Sequence, residues 1–161
     1  MKRFWIALIA MSFIGVTMIA QVSIGTDSAK DKETLEIAKK EFKDLLQYGH
    51  IEMASQWMAP TYIQHNPNVP GSRDGFIENF GPRMHPEPIK EEWKRPPTLV
   101  IVSGPYVLLM TDQKAKDPAD PNKQYTRDHF DMVRVGDGKI QEHWDSAMKM
   151  PGTGNVPVPG I

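Results

Sequence analysis

The stretch of sequence that decides the fold runs from Asp128 to Asp145 and reads DHFDMVRVGDGKIQEHWD. The Asp137-Gly138 step at its centre is a strong signal for a two-residue turn, and strand-forming residues flank it on both sides. Successive side chains of a strand point to opposite faces, so residues two apart share a face. One face of the first strand is therefore formed by Arg127, His129, Asp131 and Val133. If that face is buried, it forms a site.

Three helices are predicted upstream of this hairpin. Apolar residues recur at helical spacing over residues 32–48. A second, short helix is expected over residues 51–58, with Trp57 on its inward face and Pro60 at its end. The third helix follows Ser72, whose hydroxyl is suited to cap a helix N-terminus.

Strands dominate the second half of the chain. They are expected over residues 98–103, 106–111, 125–135 and 139–148, with a polar loop over residues 114–123. Helices first and antiparallel strands after predict an α+β domain, in which about three N-terminal helices pack on a curved antiparallel sheet. Such a cone encloses one natural cavity.

Residues 1–28 have the layout of an export signal. Lys2 and Arg3 precede a nearly uncharged apolar run, and Ala20 offers a small residue for cleavage. The run is also long enough, at about 20 residues, to span a bilayer as an uncleaved anchor. We expect an exported protein, periplasmic or secreted, with a membrane-anchored protein as the alternative.

The rest of the chain divides into one domain, residues 29–150, and a flexible tail rich in proline and glycine, residues 151–161. The chain has no cysteine, which excludes disulfides and thiolate chemistry. Of its 19 Lys and Arg, 17 lie after residue 28, and of its 20 Asp and Glu, 19 do. This near balance argues against nucleic acid or an anionic membrane surface as a partner and favours a small-molecule substrate.

Asp131 is the leading candidate for a catalytic residue. Phe130, Met132 and Val133 indicate that both faces of its strand are covered, so its carboxylate would be desolvated. Desolvation would raise the pKa of Asp131 and let it act as a general base near neutral pH. His129, on the same face, could share a substrate oxygen or tune that pKa. The alternative for Asp131 is a salt bridge or an exposed edge position.

A second candidate patch is the stretch YIQHNP, from Tyr62 to Pro67. The proline biases Asn66 away from helix, so an ordered element turns into a loop here. His65 could polarise or position a substrate oxygen, with Asn66 and Tyr62 lining the pocket. The alternative is a turn-capping pair, because Asn before Pro is common turn chemistry. Further predicted substrate contacts are Trp144, Trp57 and Arg127.

The orientation of the second hairpin strand depends on the pairing at the turn. A regular two-residue turn would place Asp131 opposite Trp144, which would then share the pocket face, unless Trp144 is a core residue. His143 and Asp145 would point the other way. A bulge would invert this arrangement.

A metal site can be assembled only on paper, from His65, His129, His143 and Asp131, since histidine and carboxylate hold iron or zinc. Their spacing lacks the close pairs of common zinc motifs. The sequence contains no phosphate-binding loop, Gly-x-Ser-x-Gly elbow or dinucleotide fingerprint. We therefore expect neither a metal nor a cofactor.

Two parts of the chain resemble the SnoaL-like polyketide cyclase group of the nuclear-transport-factor-2-like (NTF2-like) superfamily. The resemblance is greatest to bacterial proteins described as predicted SnoaL-like aldol-condensation enzymes. The first part is YIQHNP, Tyr62 to Pro67, with Gly71. The second comprises HFDMVRV, His129 to Val135, and GKIQEHWD, Gly138 to Asp145. The resemblance extends over roughly residues 35–149.

The resemblance implies a cone-shaped α+β barrel that is often dimeric through the outer face of its sheet. In the cyclases, an aspartate at the position of Asp131 is the base that removes a proton next to a carbonyl. The carbanion then attacks another carbonyl of the same molecule, without metal or cofactor. Related hydrolases and isomerases carry an inward His or Arg at the position of His129.

Two functions are consistent with these features. The first is an exported lyase or isomerase that performs aldol-type cyclisation or isomerisation of a carbonyl compound, with Asp131, His129 and His65 as catalytic residues. The alternative is a noncatalytic small-molecule-binding or dimerisation module on the same fold. A homodimer is expected.

Overall fold

The computed structural model describes residues 22–24 and 28–152. The predicted export signal or anchor, residues 1–28, and the predicted tail, residues 151–161, lie almost entirely outside the described residues. Among the described helices, none has the length and apolar character needed to cross a membrane.

Three helical segments precede most of the sheet, as predicted. The first, α1, spans Ala29–Lys39 and continues as a π-helical segment over Lys40–Gln47. The second, α2, spans Ala54–Trp57 and is preceded by a short 3₁₀ turn. The third, α3, spans Arg73–Phe80, and the Ser72 hydroxyl accepts a hydrogen bond from the Gly75 N–H at its start. The predicted cap is confirmed.

Six strands form one sheet in the order β1-β3-β4-β5-β6-β2. They are β1 Val22–Ile24, β2 Met58–Gln64, β3 Leu99–Ser103, β4 Tyr106–Lys116, β5 Gln124–Gly136 and β6 Lys139–Asp145. The central strands β3 to β6 are antiparallel, but β1 is parallel to β3 and β2 is parallel to β6. The predicted antiparallel arrangement is confirmed for β3 to β6, whereas the two edge pairings are parallel, which their long connections permit.

Neither edge strand follows from the predicted elements. Strand β2 is not among the predicted strands, because Pro60 indicates a helix stop and Tyr62 to Gln64 are predicted only as the end of an ordered element. A proline is tolerated in an edge strand, since the donor it lacks is not needed on the outer side. Strand β1 falls within residues 1–28, and cleavage after Ala20 would leave it on the mature chain.

The hairpin turn has the predicted form. Asp137 has a φ of 51° and Gly138 a φ of 70°, and Gly136 pairs with Lys139 across the turn. These angles fit a type I′ turn, whose twist matches that of the flanking strands. The register shifts beyond the turn, where Gln141 is an extra residue in β6 between two paired positions.

The core lies between the inner face of the sheet and the helices. Burying each aliphatic side chain there contributes about 1.5–3 kcal/mol. The core residues are Ala38, Phe42, Leu45, Ile51, Ala54, Met58, Tyr62, Phe76, Val100, Val102, Val107, Leu109, Val133, Val135 and Ile140. Toward one end of the sheet the inner face becomes polar, and there a cavity opens.

Candidate active site

The bulge at Gln141 decides which residues of β6 face the cavity. It pairs Asp131 with Asp145 and Val133 with His143, so His143 and Asp145 lie on the inner face. The predicted pairing of Asp131 with Trp144 is wrong, because the extra residue inverts every side chain beyond it. The inversion brings two further ionisable groups into the site.

Asp131 lies at the centre of a chain of hydrogen bonds. Its Oδ1 is 3.3 Å from Nε2 of His129 and 3.3 Å from Nε2 of His143. The other ring nitrogen of His143, Nδ1, is 2.6 Å from Oε1 of Glu41, which the helix α1 extension supplies. Nδ1 of His129 is 3.2 Å from the Ser146 hydroxyl.

This chain fixes the charge of its members. Burial alone would raise the pKa of Asp131, but the hydrogen bonds from His129 and His143 outweigh it and lower the pKa to about 2. The expectation of a raised pKa is therefore wrong. Burial likewise opposes protonation of His143, but the carboxylates of Glu41 and Asp131 outweigh it and raise its pKa to about 10. At neutral pH Asp131 is an anion and His143 a cation.

His129 is only partly buried and contacts one carboxylate, whereas His143 lies between two. The hydrogen bond to Asp131 raises the pKa of His129 above its ordinary value, although partial burial opposes this. A raised pKa keeps a larger fraction of its rings protonated at neutral pH. His129 is thus protonated more readily than an exposed histidine.

A second set of hydrogen bonds holds Asp145 beside Asp131. The Asn66 side chain donates to Oδ2 of Asp145 at 2.6 Å, and the Asn66 N–H donates to Oε1 of Gln64 at 3.0 Å. The Gln64 side chain in turn donates to the Tyr62 hydroxyl at 3.1 Å. Burial, followed by the nearby carboxylates of Glu41 and Asp145, raises the pKa of Tyr62, which stays neutral.

The cavity has a volume of about 550 Å³. Its polar end is formed by Asn66, His129, Asp131, His143 and Asp145, and its apolar walls include Phe42, Leu46, Phe76, Phe80, Trp93 and Leu109. A volume of this size suits a small organic molecule.

The structure brings together three of the eight predicted site residues in the cavity, Asp131, His129 and Asn66. Tyr62 is buried behind them in the core, where its ring packs edge-on against Phe76. Arg127 is on the same face as Asp131 but is exposed, and its side chain donates to Gln113 at 2.9 Å.

Three other predicted residues lie away from the cavity. His65 stacks on Trp144 on the outer face of the sheet, with ring centroids 4.6 Å apart, and its Nε2 is 3.0 Å from Oε2 of Glu142. Trp57 packs beneath Lys40, whose ammonium lies 5.2 Å from its ring centroid. The bulge places Trp144 on the outer face, where His65 stacks on it.

Sequence reasoning did not identify Glu41. The signal was present, since Glu41 follows Ala38 by three residues and precedes Leu45 by four, which puts it on the buried face of the helix. A carboxylate on an apolar stripe is a candidate for function.

Asp131, His143 and Asp145 offer ligand atoms within 4.8 Å of one another, a set that could hold a divalent cation. Both ring nitrogens of His143 already contact carboxylates, and both oxygens of Asp145 accept hydrogen bonds. Hydrogen bonds therefore already occupy the ligand atoms of His143 and Asp145, and with Asp131 these side chains form a hydrogen-bonded cluster.

Solved structures share this arrangement of helices and sheet. A candidate polyketide cyclase from Bacillus cereus ATCC 10987 aligns over 78% of this chain and 82% of its own, with TM-score 0.52 and 20% identity. An NTF2-like protein of unknown function from Burkholderia pseudomallei K96243 aligns over 70% of this chain and 88% of its own, with TM-score 0.50 and 12% identity. The chain has the NTF2-like fold. No family model and no curated protein matches the sequence.

The predicted fold class is thereby confirmed, and so is the resemblance to the NTF2-like superfamily at the level of the fold. A candidate SnoaL-like polyketide cyclase from Jannaschia sp. CCS1 aligns at TM-score 0.49 and 14% identity, over 74% of this chain and 89% of its own. A shared NTF2-like fold does not establish a shared activity. The function must be argued from the side chains in the cavity.

Proposed function

We propose that the protein is a small-molecule enzyme that removes a proton next to a carbonyl group, leading to aldol-type cyclisation or isomerisation, without a metal or cofactor. The observation that carries this proposal is the environment of Asp131. Two imidazoles engage its Oδ1 inside the cavity, while Oδ2 has no hydrogen bond to any described residue. Oδ2 is therefore the oxygen available to a bound molecule.

The proposed reaction begins with transfer of the acidic substrate proton to Oδ2 of Asp131. The electron pair of the C–H bond remains on the substrate as an enolate. In an aldol-type cyclisation the enolate carbon attacks a second carbonyl carbon, and the resulting alkoxide takes the proton back from Asp131. In an isomerisation the proton returns to a different carbon.

The charge state of Asp131 suits this role in one respect and limits it in another. With a pKa of about 2 it is ionised at neutral pH, as a base must be. A base with so low a pKa is weak, because proton transfer works best when the acceptor's pKa lies near the working pH. The neighbouring groups must therefore stabilise Asp131 once it is protonated.

The negative charge of the enolate also needs a partner. His129 lines the cavity beside Asp131, and its raised pKa makes it cationic in a larger fraction of molecules at neutral pH. A cation held at the site of developing charge stabilises the transition state, because it needs no reorganisation. We assign this role to His129 rather than to His65, which faces away from the cavity.

The apolar walls favour a neutral, largely apolar carbonyl compound as substrate. Phe76, Phe80 and Trp93 would contact the hydrocarbon part, and the acidic carbon would face Asp131.

The outer face of the sheet favours a second function, association with another copy of the chain. Tyr106 and Phe130 expose about two fifths of their surface there, at 41% and 42%. A shallow apolar groove of about 210 Å³ runs between Leu108, Phe130, Met132 and Trp144. We propose a homodimer through this face, in an enzyme or in a noncatalytic binding module. A Phe130→Lys variant should then be monomeric in light scattering, and an unchanged mass would contradict this interface.

We further propose that the protein is exported, on the strength of the pattern in residues 1–28. Cell fractionation of a tagged full chain should place it outside the cytoplasm or in the membrane. Recovery in the cytoplasm alone would contradict export.

The test of the enzymatic proposal is proton–deuterium exchange at the acidic carbon of a panel of 1,3-dicarbonyl and aryl ketone compounds, followed by NMR. The wild type should accelerate exchange, and Asp131→Asn should lower the rate about 10²-fold or more with the fold intact. Asp128→Asn is the matched control, because Asp128 is on the same strand but exposed on the opposite face. Equal rates in Asp131→Asn and the wild type would contradict the assignment.

A further inference from the structure

Glu41 is a buried carboxylate that the reaction described above does not use. Its exposed fraction is 0%, and it lies on the buried face of the helix α1 extension between Ala38 and Leu45. That extension, Lys40–Gln47, is π-helical, a geometry that occurs frequently at functional sites. A carboxylate buried in an apolar core destabilises the fold unless a partner compensates it.

The partner of Glu41 is His143. Oε1 of Glu41 is 2.6 Å from Nδ1 of His143, whereas Nε2 of the same ring is 3.3 Å from Asp131. The shorter distance is that of a charge-assisted hydrogen bond, and the longer one is weaker. The ring of His143 is therefore coupled more closely to Glu41 than to Asp131.

The second oxygen of Glu41, Oε2, is buried and has no hydrogen-bond partner among the described residues. The short contact between Oε1 of Glu41 and Nδ1 of His143 is therefore the path along which a proton can pass between the two side chains.

The other charged groups near Glu41 do not neutralise it. Within the described part of the chain, His143 is the only basic residue that forms an ion pair with Glu41. Lys40 and Lys43, on the same helical segment, pair instead with Asp44. The facing strands contribute Tyr62, Asp131 and Asp145, with His129 beyond Asp131.

We propose that Glu41 is a positioning residue that holds His143 as an imidazolium in the resting protein and takes up its Nδ1 proton when Asp131 is protonated. At rest the chain Glu41–His143–Asp131 has two protons, both on His143, and a net charge of −1. When the substrate proton reaches Oδ2 of Asp131, the Nδ1 proton of His143 moves to Oε1 of Glu41. All three groups are then neutral.

This second proton transfer stabilises protonated Asp131, which offsets the low basicity of its carboxylate. Protonating Asp131 alone would leave a buried imidazolium beside a single carboxylate. Shifting the second proton to Glu41 leaves no buried charge in the chain, which a low-dielectric interior favours. The role in turnover rests on the proposed function, but the resting charge of His143 does not.

The first experiment measures the ring nitrogens of His143 in the ¹⁵N-labelled full chain by long-range NMR correlation. In the wild type both nitrogens should be protonated from about pH 6 to about pH 9. In Glu41→Gln the pKa of His143 should fall by about 1 unit or more, whereas Glu41→Asp, which keeps the charge, should restore part of the shift. Glu36→Gln is the matched control, since Glu36 is exposed on the same helix.

A neutral His143 ring in the wild type near neutral pH would overturn the proposal, and so would an unchanged pKa in a folded Glu41→Gln variant. The wild-type measurement keeps the test valid if Glu41→Gln does not fold.

The second experiment follows exchange on the panel described above. Glu41→Gln should lower kcat about 10-fold with little change in KM, and should shift the pH profile of kcat. A merely structural role for Glu41 would leave that pH profile in place, and such a result would overturn the proposal. If the wild type exchanges no compound while His143 remains an imidazolium that depends on Glu41, the proposed function fails and the resting role of Glu41 stands.

Discussion

The two faces of the β5–β6 hairpin carry similar residue types in opposite charge arrangements. On the inner face, the cation His143 lies between two carboxylates, those of Glu41 and Asp131. On the outer face, the anion Glu142 lies between two bases, with Oε2 3.0 Å from His65 and Oε1 2.6 Å from Arg134.

The difference in burial gives these two triplets different consequences. His143 is buried, and its carboxylate partners raise its pKa to about 10. Glu142 is partly exposed; burial tends to raise its pKa, but His65 and Arg134 outweigh this and lower it. An anion between two bases near water is an ordinary surface ion pair, whereas a cation between two carboxylates in a cavity is an arrangement that can move protons.

The sharpest way to break this comparison is to shift the register of β6. One alanine inserted between Glu142 and His143 would move every later pairing by one residue, turning Trp144 inward and His143 and Asp145 outward. We expect a loss of more than about 4 kcal/mol in the free energy of unfolding, because Glu41 loses its partner and a tryptophan enters the core. Urea denaturation followed by circular dichroism measures this. A near-wild-type stability would show that the register of β6 does not set the two faces.

The next largest effect should separate the two histidines. His143→Leu leaves Glu41 buried without a cation and should cost about 3–5 kcal/mol. The matched outer variant, His65→Leu, breaks a partly exposed pair and should cost about 1 kcal/mol or less. Equal losses in chemical denaturation would contradict the difference between the faces.

The pH dependence of stability should come from the inner face. The pKa of His143 is raised from 6.5 to about 10, so its contribution is fully present below pH 6.5 and is lost as the pH rises through about 10. The pKa of Asp131 is lowered from 3.8 to about 2, so its contribution is present above pH 3.8 and is lost as the pH falls through about 2.

We expect the alkaline loss to be on the order of a few kcal/mol in the wild type and to be absent from His143→Leu. Denaturation curves recorded from neutral to alkaline pH measure it. A wild-type stability that does not fall over that range would rule out an imidazolium at His143.

The smallest effect concerns the turn that joins the two strands. Gly138 has a φ of 70° and open space around it, so Gly138→Ala meets no clash but does meet backbone strain. We expect a cost of about 1 kcal/mol, with the register and both faces unchanged. A change in the NMR signals of His129 and His143 would show that the turn also sets the register.

Most of the fold was predictable because glycine, proline and capping residues mark the ends of its elements. The three helices and the hairpin follow from these signals together with hydrophobic periodicity. Strand β2 did not, since Pro60 indicates a helix end just as well as an edge strand. What distinguishes the two is a pairing with β6, about eighty residues away in sequence, which no local pattern contains.

The site was predictable only in part, for a related reason. Alternation along β5 was enough to place Asp131 and His129 on one inner face. The inward orientation of His143 depends on the bulge at Gln141, which has no clear local signal in the sequence. Hydrogen bonds from His129 and His143 lower the pKa of Asp131. A regular pairing turns His143 outward, so the sequence predicts only the effect of burial, which raises the pKa and which these hydrogen bonds outweigh.

The most direct test of the central claim, that the inner face binds and transforms a carbonyl compound, is a titration of the ¹⁵N-labelled protein with a 1,3-diketone. The claim predicts that the ring-nitrogen signals of His129 and His143 shift in a saturable way, while those of His65 stay unchanged. Saturable shifts confined to His65, or no saturable shift of His129 and His143 with any compound of the panel, would contradict it.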